Sequence, residues 1–141
     1  MSSQPFTSGV LGVDLSARFA QSSALVGSPA GGSITSICEL AVPDFNIIPV
    51  TTGVILEGFA AFTVGTSGVS ALLQIRQTGI SGAVVATTGA VTVVGGDLHA
   101  LSVQGIDTGP LAAGVWILAL TIGSGAAEST VSSTQLLATV V

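Results

Sequence analysis

The residues able to do chemistry are few: one histidine, one cysteine and seven carboxylates in 141 residues. Nucleophilic catalysis by Ser or Cys generally requires a base, and the only imidazole is His99 in "GDLHALSV". It alternates with Leu98 and Ala100, so its ring shares a face with Leu101 and Val103 or lies close to the preceding turn. That setting predicts a structural histidine. The carboxylates, Asp14, Glu39, Asp44, Glu57, Asp97, Asp107 and Glu128, are scattered singly, with no HExxH, EF-hand or Cys-rich metal pattern. A glycosidase pair could assemble only through the fold, and nothing in the spacing calls for one. Asp97 and Asp107 flank one predicted strand at opposite ends, about 30 Å apart, too far to share an ion within a subunit. Asp97 follows two glycines and Asp107 opens "TGPLAAG", both ordinary turn settings. The glycines spell neither a dinucleotide fingerprint nor a P-loop. No residue is therefore assigned to catalysis, a cofactor or a metal.

Cys38, in "ITSICELAV", has no second cysteine to pair with, and its neighbours are those of a buried strand. It reads as a small core residue. The chain has two Arg, no Lys and a net charge of −5. It thus lacks the basic footprint of nucleic-acid binding, and neither DNA nor RNA is expected as a partner.

The elements that would position these residues are strands. Val, Thr and Ile abound and Gly recurs at short intervals, the pattern of an all-β domain with tight turns, in a sandwich or a barrel. Eight strands are predicted, over Ala24–Gly27, Ile34–Val42, Gly53–Val64, Val69–Thr78, Ala83–Val94, Leu98–Asp107, Val115–Ile122 and Thr130–Val141. Turns fall at "GSPAGGS", "PDFNIIP", "GTSG", "GISG", "GGD", "DTGPLAAG" and "GSGAAE". In "VSALLQIRQT" one face is dry, with Val69, Ala71, Leu73 and Ile75, and the other mostly wet. "GVWILALTIG" differs, because both of its faces are apolar: Val115, Ile117 and Ala119 on one, Trp116, Leu118 and Leu120 on the other. A strand in a two-layer sandwich buries one face in its own core. The second face needs a cover, from a loop or from another subunit. We expect the strip Trp116, Leu118 and Leu120 to be a subunit contact.

Residues 1–22 read as an N-terminal arm and 23–141 as the β-domain. In "VDLSARF" the residues Val13, Leu15, Ala17 and Phe19 alternate with polar ones, as in an extended amphipathic strand, and a short helix capped at Asp14 fits the same letters. Either form gives Val13, Leu15 and Phe19 as arm contacts on a neighbouring surface.

With 48% hydrophobic and 6% charged residues, against roughly 25% charged in an ordinary soluble domain, a membrane must be considered. Spanning helices need about 20 apolar residues in a row, and Gly, Ser and Thr interrupt every run. An outer-membrane barrel wants aromatic girdles, whereas this chain has one Trp and no Tyr. No membrane partner is expected. "MSSQPFTSGV" lacks the basic start and apolar block of a secretory signal, so the expectation is a chain retained in a cytoplasm, or mature as it stands.

From "LLQIRQTG" through the valine-rich strand, "GIDTGPLAAGVWILALTI" and the closing "TVSSTQLLATVV", the chain resembles the β-sandwich domains, of jelly-roll or tumour-necrosis-factor-like type, in tailed-phage virion proteins. The resemblance covers Leu72 to Val141. Where that pattern carries Tyr at alternate positions, Trp116 and Leu118 stand here. It implies an eight-stranded antiparallel β-sandwich of jelly-roll type with an extended N-terminal arm, packed as a homotrimer. The function implied is structural: a capsid decoration or cement protein of a phage head, in a virion assembled in the host cytoplasm, with the major capsid protein or another virion protein as partner. The alternative is a tail or collar appendage recognising a host surface glycan. Neither is an enzyme.

Overall fold

Strand formation follows the alternation. From Ser70 to Gln77, Ala71, Leu73 and Ile75 are buried, while Leu72, Gln74 and Arg76 are half-buried on the opposite side. This is the period-two pattern of a strand with one face in a core. The computed structural model describes residues 17–23, 31–42, 53–108, 114–126 and 129–140. Among them are nine strand segments: β1 Ala17–Ser23, β2 Ile34–Val42, β3 Val54–Thr63, β4 Ser70–Gln77, β5 Val84–Thr87, β6 Val91–Thr92, β7 Leu98–Asp107, β8 Gly114–Ile122 and β9 Thr130–Val140. Among the described residues, no helix is long and apolar enough to cross a membrane.

Every pairing is antiparallel. One sheet has the order β1-β9-β3-β7 and the other β2-β8-β4-β5, with β6 also against β4. The single strand predicted over Ala83–Val94 is thus two segments on one edge of β4. At the break, Thr88 N–H donates to Leu73 O at 2.9 Å and Leu73 N–H donates to the Thr88 hydroxyl at 3.0 Å. A side-chain oxygen carries the ladder where the backbone departs from it. Counted as one interrupted strand, β5 and β6 bring the set to eight. First, eighth, third and sixth then share one sheet, and second, seventh, fourth and fifth the other. The fold is an eight-stranded antiparallel sandwich of jelly-roll type.

The predicted strand Ala24–Gly27 lies outside the described residues, and the first strand among the described residues is β1. It falls within the stretch expected to form an arm and runs one residue past it, pairing with β9 so that Phe19 stands opposite Ala138. The chain is extended there rather than helical. Val13 and Leu15 lie outside the described residues.

The core sits between the sheets. Leu56, Phe62, Val64, Leu73, Ile75, Ile122 and Leu136 are fully buried, each contributing about 1.5–3 kcal/mol by leaving water. The sheets close at the corner where β7 runs against β5. A Cβ on Gly105 would stand 2.6 Å from the Ala86 Cβ and 3.1 Å from Val85 O. Only a residue without a side chain admits that approach.

Candidate functional site

His99, on β7, is held by the turn before it. Its Nε2 lies 3.1 Å from Val94 N and 3.2 Å from Val94 O, and its ring centroid is 5.8 Å from that of Phe62. The imidazole secures the β6–β7 connection and packs on a core aromatic, which makes it structural. Asp97 sits in the same turn, where its backbone N–H reaches Val94 O at 3.2 Å. Glu39 on β2 and Glu57 on β3 are exposed on the outsides of different sheets, while Asp107 ends β7 and is buried. Among the described residues, no three of His, Cys, Asp and Glu gather as a metal site would require. Asp14, Asp44 and Glu128 lie outside the described residues.

The alternation could not reveal the partner of Asp107. Its Oδ2 accepts a 2.9 Å hydrogen bond from Trp116 Nε1. Asp107 belongs to one sheet and Trp116 to the other, so this buried, charge-assisted bond ties the two layers across the connection from β7 to β8. The only cue in the sequence is the lone tryptophan nine residues after the aspartate.

The expected division of β8 is reversed. Trp116, Leu118 and Leu120 are 1%, 0% and 0% exposed within the single chain and belong to the core between the sheets. Register fixes this: Trp116 stands opposite Leu40, Leu118 opposite Cys38 and Ile75, and Leu120 opposite Leu73. They are core residues and not a subunit contact. The outward residues are Val115, Ile117 and Ala119, and of these Ile117 is 3% and Ala119 0% exposed. Among the described residues, their neighbours on the adjoining strands are mostly polar. Glu39 and Arg76 flank Ile117, and Ser36 and Gln74 flank Ala119. Long polar side chains lay their stems over the smaller apolar ones. Arg76 is fixed in that posture, with Nε and Nη2 donating to Gln74 Oε1 at 3.0 and 2.8 Å and Nη1 to Ile80 O and Gly82 O at 3.0 and 3.3 Å.

Cys38 is buried, as its surroundings predict. Burial pushes its thiol above the ordinary value of 9.0, and hydrogen bonds with Thr134 and the Glu39 backbone oppose the shift only in part. A raised folded-state value means that stability from this group is complete below the unfolded value and falls as the pH rises through the folded one. Native protein near pH 8 is expected to react with a thiol reagent far more slowly than denatured protein. Equal rates would place the sulfur at the surface.

The outside of the four-stranded sheet offers a different environment. A groove of about 330 Å³ lies over its centre, between Glu57 and Phe59 of β3, Ser102 and Gln104 of β7, and Gln135 and Leu137 of β9. Gly58 turns inward beneath it, where a Cβ would stand 2.5 Å from Leu118 Cδ1.

No family model matches the sequence and no curated protein does. Solved structures do match. The T=13 particle of infectious bursal disease virus aligns with 89% of this chain at a TM-score of 0.61 and 10% identity, over 31% of its own chain. The chain shares its sandwich fold with about a third of that particle protein. That virus's T=1 particles match at 0.59 and 13% identity, over 91% of this chain and 32% of theirs. The VP2 subviral particle gives 0.58 and 15%, over 91% and 33%. The tailed-phage resemblance is thereby corrected: these three structures, which align with about nine-tenths of the chain, come from infectious bursal disease virus and not from a phage. At such identities the fold alone is shared, and the chain spans about a third of the length of the particle proteins it matches.

Proposed function

We propose that this chain is a structural virion protein, a jelly-roll subunit that associates with copies of itself and with a shell protein, and that decorates and stabilises a virus particle. The observation that carries the reading is the match of about nine-tenths of the chain to particle proteins. A unit that binds the assembled shell and not its free parts stabilises the shell by mass action, without a chemical step. The titratable residues agree with this, since His99, Asp97 and Asp107 are engaged in turns and in the join between the sheets.

The state proposed is a homotrimer in the virion, assembled in the host cytoplasm. Val94 and Leu98, 54% and 66% exposed on either side of the β6–β7 turn, are the pair offered to a neighbour. Light scattering is expected to give three times the chain mass at micromolar concentration. Leu98→Lys, at an exposed position, is expected to lower that mass to one chain while the β-sheet circular dichroism stays unchanged. A wild-type monomer at micromolar concentration would overturn the reading.

A further inference from the structure

We propose that the groove on the outside of the four-stranded sheet binds a neutral sugar unit, seated on Phe59 and held by Glu57, Gln104, Gln135 and Ser102. The inference rests on the groove alone and does not depend on the assembly of the particle.

The site is built by register. Glu57 stands directly opposite Leu137 on one side and Gln104 on the other, and Phe59 directly opposite Gln135 and Ser102. Neighbours across a sheet have Cβ atoms about 4.5–5.5 Å apart, so these six side chains form a tight block of two rows. Glu57, Ser102, Gln104 and Gln135 are exposed, and Phe59 and Leu137 are half-buried. Phe59 and Glu57 thus share the middle of the block, with Leu137 at one corner and Gln104, Gln135 and Ser102 at the other three. The cavity, about 330 Å³, falls at the lower end of small-molecule sites, a size that suits one or two sugar rings.

Its chemistry matches a polyol. A sugar ring presents a C–H face, which packs on an aromatic ring, and a rim of hydroxyls that both donate and accept. Glu57 supplies acceptors, and the two glutamines and Ser102 supply both roles. Among the described residues, none of these four side chains makes a side-chain hydrogen bond or ion pair. By contrast, Gln74 and Arg76 on the other sheet are engaged with each other. Among the described residues lining the groove, Glu57 is the only charged one, and the chain carries −5 overall, a balance that disfavours phosphate, sulfate and acidic sugars. A lone carboxylate without further oxygen or nitrogen ligands does not make a cation site. All six residues sit on hydrogen-bonded strands, so binding orders little backbone.

The test is a titration of the full chain, followed by amide chemical shifts, with the methyl glycosides of glucose, galactose, mannose and N-acetylglucosamine at millimolar concentration. At least one is expected to shift the amides of Phe59, Ser102, Gln104 and Gln135 together. Phe59→Ala is expected to abolish the response and Glu57→Gln to weaken it roughly tenfold, equivalent to 1.4 kcal/mol. Because Glu57 is exposed, Glu57→Gln should leave the fold intact, and this variant remains informative should Phe59→Ala destabilise the sheet. A trisaccharide ending in the sugar that binds distinguishes sources: tighter binding assigns the site to a glycan chain, weaker binding to a free sugar, and both support the site. The proposal is overturned if no glycoside shifts these amides, if both variants respond as wild type, or if methyl glucuronide binds as tightly as methyl glucoside.

Discussion

Leu118→Asp is expected to unfold the protein outright. Leu118 lies between Cys38 and Ile75 on the neighbouring strands and beneath Gly58 of the facing sheet, with no exposure to water. A carboxylate placed there has neither solvent nor a cation, and an unpaired buried charge costs several kcal/mol. A domain of this size has about 5–15 kcal/mol of stability in all. The β-sheet circular dichroism should be lost at room temperature and neutral pH. Burial raises the pKa of an introduced carboxyl, so the deficit should shrink as the pH is lowered, reaching the cost of a neutral acid below about pH 4. A variant that kept its sheet spectrum while its assembly dissociated would return β8 to a subunit contact.

Gly105→Val tests the corner where the sheets close. The new Cβ would press on the Ala86 Cβ at 2.6 Å and on Val85 O at 3.1 Å, and the second of these is backbone. Neither group can swing aside as the end of a flexible side chain could, so β5 must move away from β7. Overpacking of this kind costs about 1–3 kcal/mol, to which the loosened edge of the second sheet adds. The expected result is a melting temperature lower by roughly 3–4 °C per kcal/mol for a domain of this size, with faster amide exchange along β5. A wild-type melting temperature would show that the corner yields.

Much of the sandwich could be read from spacing, because alternation and turn residues are local properties. Val54–Thr63, Ser70–Gln77, Leu98–Asp107 and the closing strand fall within a residue or two of their predicted bounds. The break between β5 and β6 could not be read, since it depends on the Thr88 hydroxyl meeting Leu73 N–H across the sheet. Nor could the inward face of β8. Both of its faces are apolar, and the choice depends on Arg76 and Gln74, which reach it only when β4 pairs with β8. The groove left a faint sign: three i, i+2 pairs, Glu57 with Phe59, Ser102 with Gln104, and Gln135 with Leu137. Each looks like an ordinary outward face of a strand. They become one surface because the jelly roll places β9, β3 and β7 side by side.

The bond between Asp107 and Trp116 also has an optical consequence. With one tryptophan and no tyrosine in the chain, near-ultraviolet emission comes almost wholly from a single indole, which is 1% exposed and hydrogen-bonded to a carboxylate of the opposite sheet. Its colour and intensity are therefore a gauge of whether the two layers remain joined. Parting them brings water to the ring and moves the emission to the red. A molecule resting on the outside of the four-stranded sheet leaves that ring in the dry, so the same chromophore separates the opening of the sandwich from events on its surface.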